Sequence, residues 1–276
     1  MPNVLSPEQI AAFDRDGYLS PITIMTPTEA ARYRRELEAA EAKWPQALTG
    51  AGRNNAHMSL KFMDEIVHDQ RILDVAEDLV GPDILAYATV LFIKEPVSEG
   101  FVSWHQDATY MGLTPHKGVT AWLALSPSNR QTGCMQMIPG SHKDGVRRHE
   151  DTFAERNILT RGQNVAGIDP TDAVDLVLEP GQMSLHHLEI VHGSQPNLGA
   201  DRRIGVVIQP YMPVSNRQKL GPAFAQLVRG HDPHGNFRAA PRPSGDMDPS
   251  DENRRDEANG LMSDILYQGA EKRRDF

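Results

Sequence analysis

The chain has 276 residues and a formal charge of −9, from 28 basic and 37 acidic side chains. An acidic chain without a Lys/Arg stripe argues against a nucleic-acid partner, and no stretch reaches the ~18 apolar residues a membrane helix needs. The single cysteine, Cys134, excludes an internal disulfide and fits a reducing compartment. The opening Met1-Pro2-Asn3-Val4-Leu5 has neither a basic nor an apolar leader region, so a cytoplasmic protein is expected.

The first predicted element is a helix. Ser6-Pro7-Glu8-Gln9 is a capping box with Pro at the first helical position, Ile10 and Phe13 supply an apolar face, and Gly17 ends the run. The same signal recurs at Thr26-Pro27-Thr28-Glu29. Ala30, Tyr33, Leu37, Ala40 and Trp44 then follow helical spacing as far as Pro45. A third helix is expected from about Asp69 to Val80, closed by Gly81-Pro82. From Ile84 to Ile93 the chain is almost unbroken apolar residues rich in β-formers, which reads as one buried strand. Short strands are expected at Val102 to Asp107, Val119 to Leu125, Cys134 to Ile138, Val174 to Leu178, Met183 to His187 and Arg203 to Gln209, with turns such as Pro139-Gly140-Ser141 between them. The long polar stretch from about Lys143 to Thr171 suits a lid or binding loop. The Pro/Gly-rich tail from His231 to Asn259 reads as loosely ordered, with a last short helix near Leu261 to Tyr267. Early helices and later strands make one α+β domain over 1–276: a helical part at 5–80, a catalytic core at about 80–215 and a partly extended tail at 230–276.

Chemistry concentrates in a few places. In a strand, His105 and Asp107 point to one face, and an imidazole beside a carboxylate supplies two ligands of a facial triad that suits Fe(II). Alone, the pair is also what a strand-end His hydrogen-bonded to Asp looks like. His192-Gly193-Ser194, placed from the opposite sheet, offers a third ligand. On the strand that follows, Arg203 shares a face with Gly205, Val207 and Gln209, while Ile204, Val206 and Ile208 form a fully apolar face. A lumen-facing Arg needs a partner, either a dicarboxylate with Gly205 leaving it room or an internal Asp or Glu.

Trp104-His105-Gln106-Asp107, Pro139-Gly140-Ser141-His142, His192-Gly193-Ser194 and Arg202-Arg203 together resemble the phytanoyl-CoA dioxygenase family, over roughly Leu5 to Pro213. The resemblance implies a double-stranded β-helix, a jelly-roll or cupin-like core with the N-terminal helices packed outside one sheet. It implies that His105, Asp107 and His192 bind iron, that Arg203 and Ser194 hold the far carboxylate of 2-oxoglutarate, and that Trp122 and His57 lie beside that cosubstrate. The reaction implied uses Fe(II), 2-oxoglutarate and O2 to hydroxylate a small-molecule substrate with release of succinate and CO2. Related halogenases lack the metal-binding carboxylate, and Asp107 is present.

Gln106 and Tyr110, beside the ligands, and Arg161 and Gln163, in the long loop, are further candidates for substrate contact. Of His186 and His187, one must face the interior, and His187 is taken as the candidate. His231 and His234 fall in the tail and read as a solvated loop, His142 as a turn residue, and Met135, Met137 and Met183 as core. Two other functions compete: a non-redox cupin-like barrel (an isomerase or a ligand-binding protein) and a lapsed scaffold. An Arg on the late lumen strand speaks against the first, and the full ligand set against the second. Substrate identity, the choice between hydroxylation, desaturation and cyclisation, and oligomeric state are not legible in the chain.

Overall fold

The computed structural model describes residues 4–274, so Met1-Pro2-Asn3 of the leader reading lies outside it. In chain order the elements are α1 (Pro7–Asp16), β1 (Tyr18–Thr23), α2 (Pro27–Lys43), α3 (Lys61–Val67), α4 (Gln70–Val80), β2 (Ile84–Ala86), β3 (Thr89–Lys94), β4 (Val102–His105), α5 (Ala108–Met111), β5 (Leu113–Thr114), β6 (Val119–Ala124), β7 (Met135–Met137) and β8 (Glu150–Asp151). They continue with β9 (Gln163–Asn164), β10 (Val174–Leu176), β11 (Gln182–His187), β12 (His192–Ser194), β13 (Arg203–Pro213), β14 (Arg217–Gln218), β15 (Phe224–Arg229), β16 (Arg238–Ala239) and α6 (Pro249–Leu266).

Both capping boxes form. Ser6 Oγ accepts from the Gln9 amide at 3.2 Å while Gln9 Oε1 accepts from the Ser6 amide at 2.9 Å, and Thr26 and Glu29 repeat the exchange. Asp69 caps α4, and Gly17 closes α1 in the left-handed region at φ 83°.

Two sheets face each other. The large one runs β1-β11-β6-β13-β2-β15-β16, with β3 also on β13; the small one runs β10-β7-β12-β4. This is the double-stranded β-helix expected, with the sheets not closed into a barrel. Alternation along β13 decides which side is which. Ile204, Val206 and Ile208 pair with Ile93, Leu91 and Thr89 across the ladder, and all except Thr89 join the core under Leu37, Ile66, Ile72 and Leu73 of the helices. Arg203, Gly205 and Val207 pair with Lys94, Phe92 and Val90 and look the other way, into the lumen roofed by the small sheet. Trp122, opposite Val207, lies on the floor there and clusters with Met135 and Met137 of the small sheet and with Leu178.

Several expectations need correcting. The run Ile84 to Ile93 is two strands, because at Tyr87 and Ala88 the chain steps from one part of β13 to another, bonding around Pro210 and Gln209. The tail is more ordered than its composition suggests: α6 begins at Pro249, capped by Asp248, and buries Asp251, Arg255, Ala258 and Ile265. Strands β1 and β15 and helix α3 carry weak patterns and were not expected. Asp107 lies beyond β4, with helical backbone angles of φ −57° and ψ −38°, so it does not extend a strand with His105.

Candidate metal and carboxylate site

His105 and His192 stand opposite each other across the β4–β12 ladder, with ring centroids 4.0 Å apart. His105 Nδ1 sits 2.9 Å from the Ser103 carbonyl and 3.1 Å from that of His192, and His192 Nδ1 sits 3.0 Å from the Ile190 carbonyl. Carbonyl acceptors select the Nδ1–H tautomer, which leaves each Nε2 lone pair free. The turn after β4 swings Asp107 back, so that Asp107 Oδ1 lies 3.6 Å from both Nε2 atoms. The three ligand atoms fall within 4.8 Å of one another, a cage of the size a metal ion fills.

Asp107 is further held by its other oxygen. Oδ2 accepts from Thr120 Oγ1 at 2.7 Å and lies 3.3 Å from His186 Nε2. Burial pushes the Asp107 carboxyl up, but His192, His105 and His186 outweigh it and hold it well below the usual carboxylate range. Burial, then His105, drives His192 well below the ordinary imidazole value, against the pull of Asp107. An ionised Asp107 carboxylate and a neutral His192 imidazole are protonation states a metal requires.

The other end of the lumen is basic. Arg203 is 2% exposed; its Nε donates to Ser128 Oγ at 3.1 Å, and its Nη1 has no hydrogen-bond partner. The guanidinium lies 4.5 Å over the Trp122 ring. Among the described residues no carboxylate pairs with Arg203, which removes the internal salt bridge as an explanation for it. Gly205 does not leave room for a ligand: a Cβ there would stand 2.1 Å from the Trp122 ring, so the glycine admits the indole. Ser194 lies on the same lumen and accepts from the buried Lys94 Nζ at 2.7 Å.

The remaining sequence candidates fall elsewhere or are fully engaged. His57 Nδ1 bonds Thr89 Oγ1 at 2.8 Å, on the sheet face opposite that of Arg203. His187 also faces away from the lumen, its ring 5.2 Å from His142 and its Nδ1 accepting from the Glu189 amide; the inward residue of the pair is His186. Gln106 is spent on the backbone of Gly145, Arg147 and Glu189, which pins the start of the long loop beside the ligands. Tyr110 donates to Asp151 Oδ1 at 2.7 Å, and Arg161 stacks 4.1 Å over that ring while pairing with Asp151 and the carbonyls of Leu266 and Gln268. Gln163, in β9, accepts at its side chain from the Arg161 amide. The long loop is thus stitched to β4 and to the end of α6. Burial pushes the Cys134 thiol up to about 11, and His231 and His234 are exposed.

Sequence reasoning missed Lys94, Thr120, His186 and His149, whose Nε2 accepts from the Gln106 amide at 3.0 Å. A signal existed for His186: Met183 and Leu185 set the helix-facing parity of β11, so His186 must point into the lumen.

The family model described as phytanoyl-CoA dioxygenase matches residues 13–205. The chain belongs to the phytanoyl-CoA dioxygenase family. It is 30% identical over 151 residues to a "probable alpha-ketoglutarate-dependent hypophosphite dioxygenase" of Stutzerimonas stutzeri, covering 54% of this chain and 52% of that one. It is 27% identical over 220 residues to human peroxisomal phytanoyl-CoA dioxygenase, covering 71% and 65%. The chain therefore spans between about half and two thirds of these curated relatives. Among solved structures, the apo form of a non-heme monooxygenase, ThoJ, superposes with a TM-score of 0.84 at 31% identity, covering 94% of this chain and 98% of that one. Among the described residues no helix is long and apolar enough to cross a membrane.

Proposed function

We propose that the chain is an Fe(II)- and 2-oxoglutarate-dependent dioxygenase. We read the whole of it as one catalytic domain that hydroxylates a C–H bond of a small molecule and releases succinate and CO2. The observation that carries this reading is the unpartnered Arg203 Nη1, buried in the same lumen as a His-Asp-His ligand set. Two neutral imidazoles and one carboxylate form a donor set that suits Fe(II) and leaves coordination positions open. Iron, when bound, supplies the activation of O2 and the oxidation of cosubstrate and substrate.

The chain's own residues do the rest. His105, Asp107 and His192 hold the metal, with Thr120 and His186 fixing the Asp107 oxygen turned away from it. Arg203 takes the far carboxylate through its free nitrogen, Ser194 adds a hydroxyl donor, and Trp122 supports the guanidinium from below. Burial of His105 and His192, with the Asp107 side chain only 8% exposed, limits the access of water to the reacting centre. A non-redox barrel leaves the Arg203 donor with nothing to bind.

The test is anaerobic. Fe(II) is added, and 2-oxoglutarate is titrated while the visible charge-transfer band of the chelate is followed. The wild type gives a band, His105→Ala gives none, and Arg203→Ala needs far more cosubstrate. A folded wild type with no band under any condition defeats the oxygenase reading in favour of the non-redox barrel. A screen of small molecules by succinate release then finds the substrate.

A further inference from the structure

Lys94 and Arg203 stand directly opposite each other across the β3–β13 ladder on the lumen face, and each is 2% exposed. Like charges directly opposite on one sheet face repel, and burying both without an anion is costly. Neither forms an ion pair among the described residues. Lys94 Nζ donates to two neutral oxygens, Ser194 Oγ and the Gln195 carbonyl, and Arg203 donates to Ser128 Oγ. The charged and titratable groups that act on Lys94 are Arg203, from β13, and Cys134, ahead of β7; β12 meets it with the Ser194 hydroxyl and carries the imidazole of His192 two residues before, and the Gln195 carbonyl follows that strand. Burial, and then Arg203, depresses the Lys94 ammonium to about 6, against a small opposing pull from Cys134.

We propose that Lys94 is the proton-linked second half of the carboxylate site: uncharged while the site is empty, and protonated when the far carboxylate of 2-oxoglutarate enters. The inference rests on the reading of the pocket as a 2-oxoglutarate site. The proton comes from solvent and is taken by the amine lone pair, with no other bond made or broken. A carboxylate arriving beside Ser194 supplies the missing opposite charge, which raises a neighbouring base by ~1–3 pKa units. Because Ser194 Oγ accepts from Lys94, its own hydrogen stays free to meet the carboxylate. Lys94 is thus a positioning residue that also tunes the charge of the site. Arg203 is permanently charged and cannot do this.

Calorimetry tests the idea on the full chain loaded with Mn(II), with 2-oxoglutarate titrated at pH 7.5 in three buffers of different ionisation enthalpy. The wild type is expected to take up roughly 0.2–0.9 proton per cosubstrate bound. Lys94→Met and Lys94→Arg are expected to bind with no uptake, the first because it has no base and the second because it is always charged. Wild-type affinity is expected to rise as pH falls from 8.5 to 6.5, by up to ~tenfold per unit. Binding by the wild type with no buffer dependence overturns the proposal and leaves the 2-oxoglutarate reading standing. Unchanged uptake in Lys94→Met overturns the assignment to Lys94. No binding of 2-oxoglutarate by the folded, Mn(II)-loaded wild type overturns both readings.

Discussion

The two ends of the lumen are built on opposite principles. At the His105–Asp107–His192 end the outward atoms of the three side chains are satisfied: carbonyls take the two Nδ1–H groups, and Thr120 and His186 take the second Asp107 oxygen. What that end lacks is a cation. At the other end two buried basic groups face each other and an Arg203 nitrogen has no partner, so what is lacking there is an anion. A pocket short of a cation at one end and an anion at the other fits a metal and a dicarboxylate bridging them.

Substitutions can break the two ends separately. Removing a ligand has the largest effect: His105→Ala is expected to abolish both the charge-transfer band and succinate formation, measured anaerobically and by coupled assay. Arg203→Ala should leave metal binding intact and weaken 2-oxoglutarate on the order of 100-fold, the cost of removing one partner of a buried charge pair; titration of the band checks it. His186→Phe, which removes one support of Asp107, should weaken Fe(II) roughly 10–100-fold, read by competition with a metal-sensitive dye.

The smallest effect is on stability, and its sign differs from the others. The folded Lys94 value, about 6, lies below the unfolded value of ~10.4. Between those limits the unfolded chain binds the extra proton, so cosubstrate-free stability rises with pH across the window. Lys94→Met should flatten that slope. After allowing for the lost hydrogen bonds to Ser194 and the Gln195 carbonyl, it should stabilise the empty protein at pH 7 by ~2–3 kcal/mol, a rise in Tm of several degrees in a thermal melt. Saturating 2-oxoglutarate should narrow the difference.

How much of this was legible in the sequence also differs between regions. Capping boxes at Ser6 and Thr26 and the Gly81-Pro82 stop are local signals, and the helices begin and end where those signals lie. That His105, Asp107 and His192 come together was legible because a strand-end His, a nearby Asp and a His before Gly-Ser are motif-sized. Pairing across the sheet is not local. Lys94 acquires meaning only from the register that sets it opposite Arg203, and the role of Gly205 depends on a tryptophan contributed by β6. His57 was misplaced because nothing in its 3-10 turn says which sheet face it will meet. The tail misled because Pro, Gly and Asp dominate it, yet α6 draws its order from Arg255 bonding Ser59 and Arg161 bonding its last carbonyls.

On the proposed reading, the Arg203 end recognises the far carboxylate of the ligand whose other end meets the metal. The most direct measurement compares the affinities of 2-oxoglutarate and 2-oxopentanoate, which has a methyl group in place of that carboxylate, for Mn(II)-loaded wild type and Arg203→Ala. The wild type is expected to prefer 2-oxoglutarate roughly 100-fold, with almost no preference left in the variant. Equal discrimination by both proteins, or none by either, would contradict it.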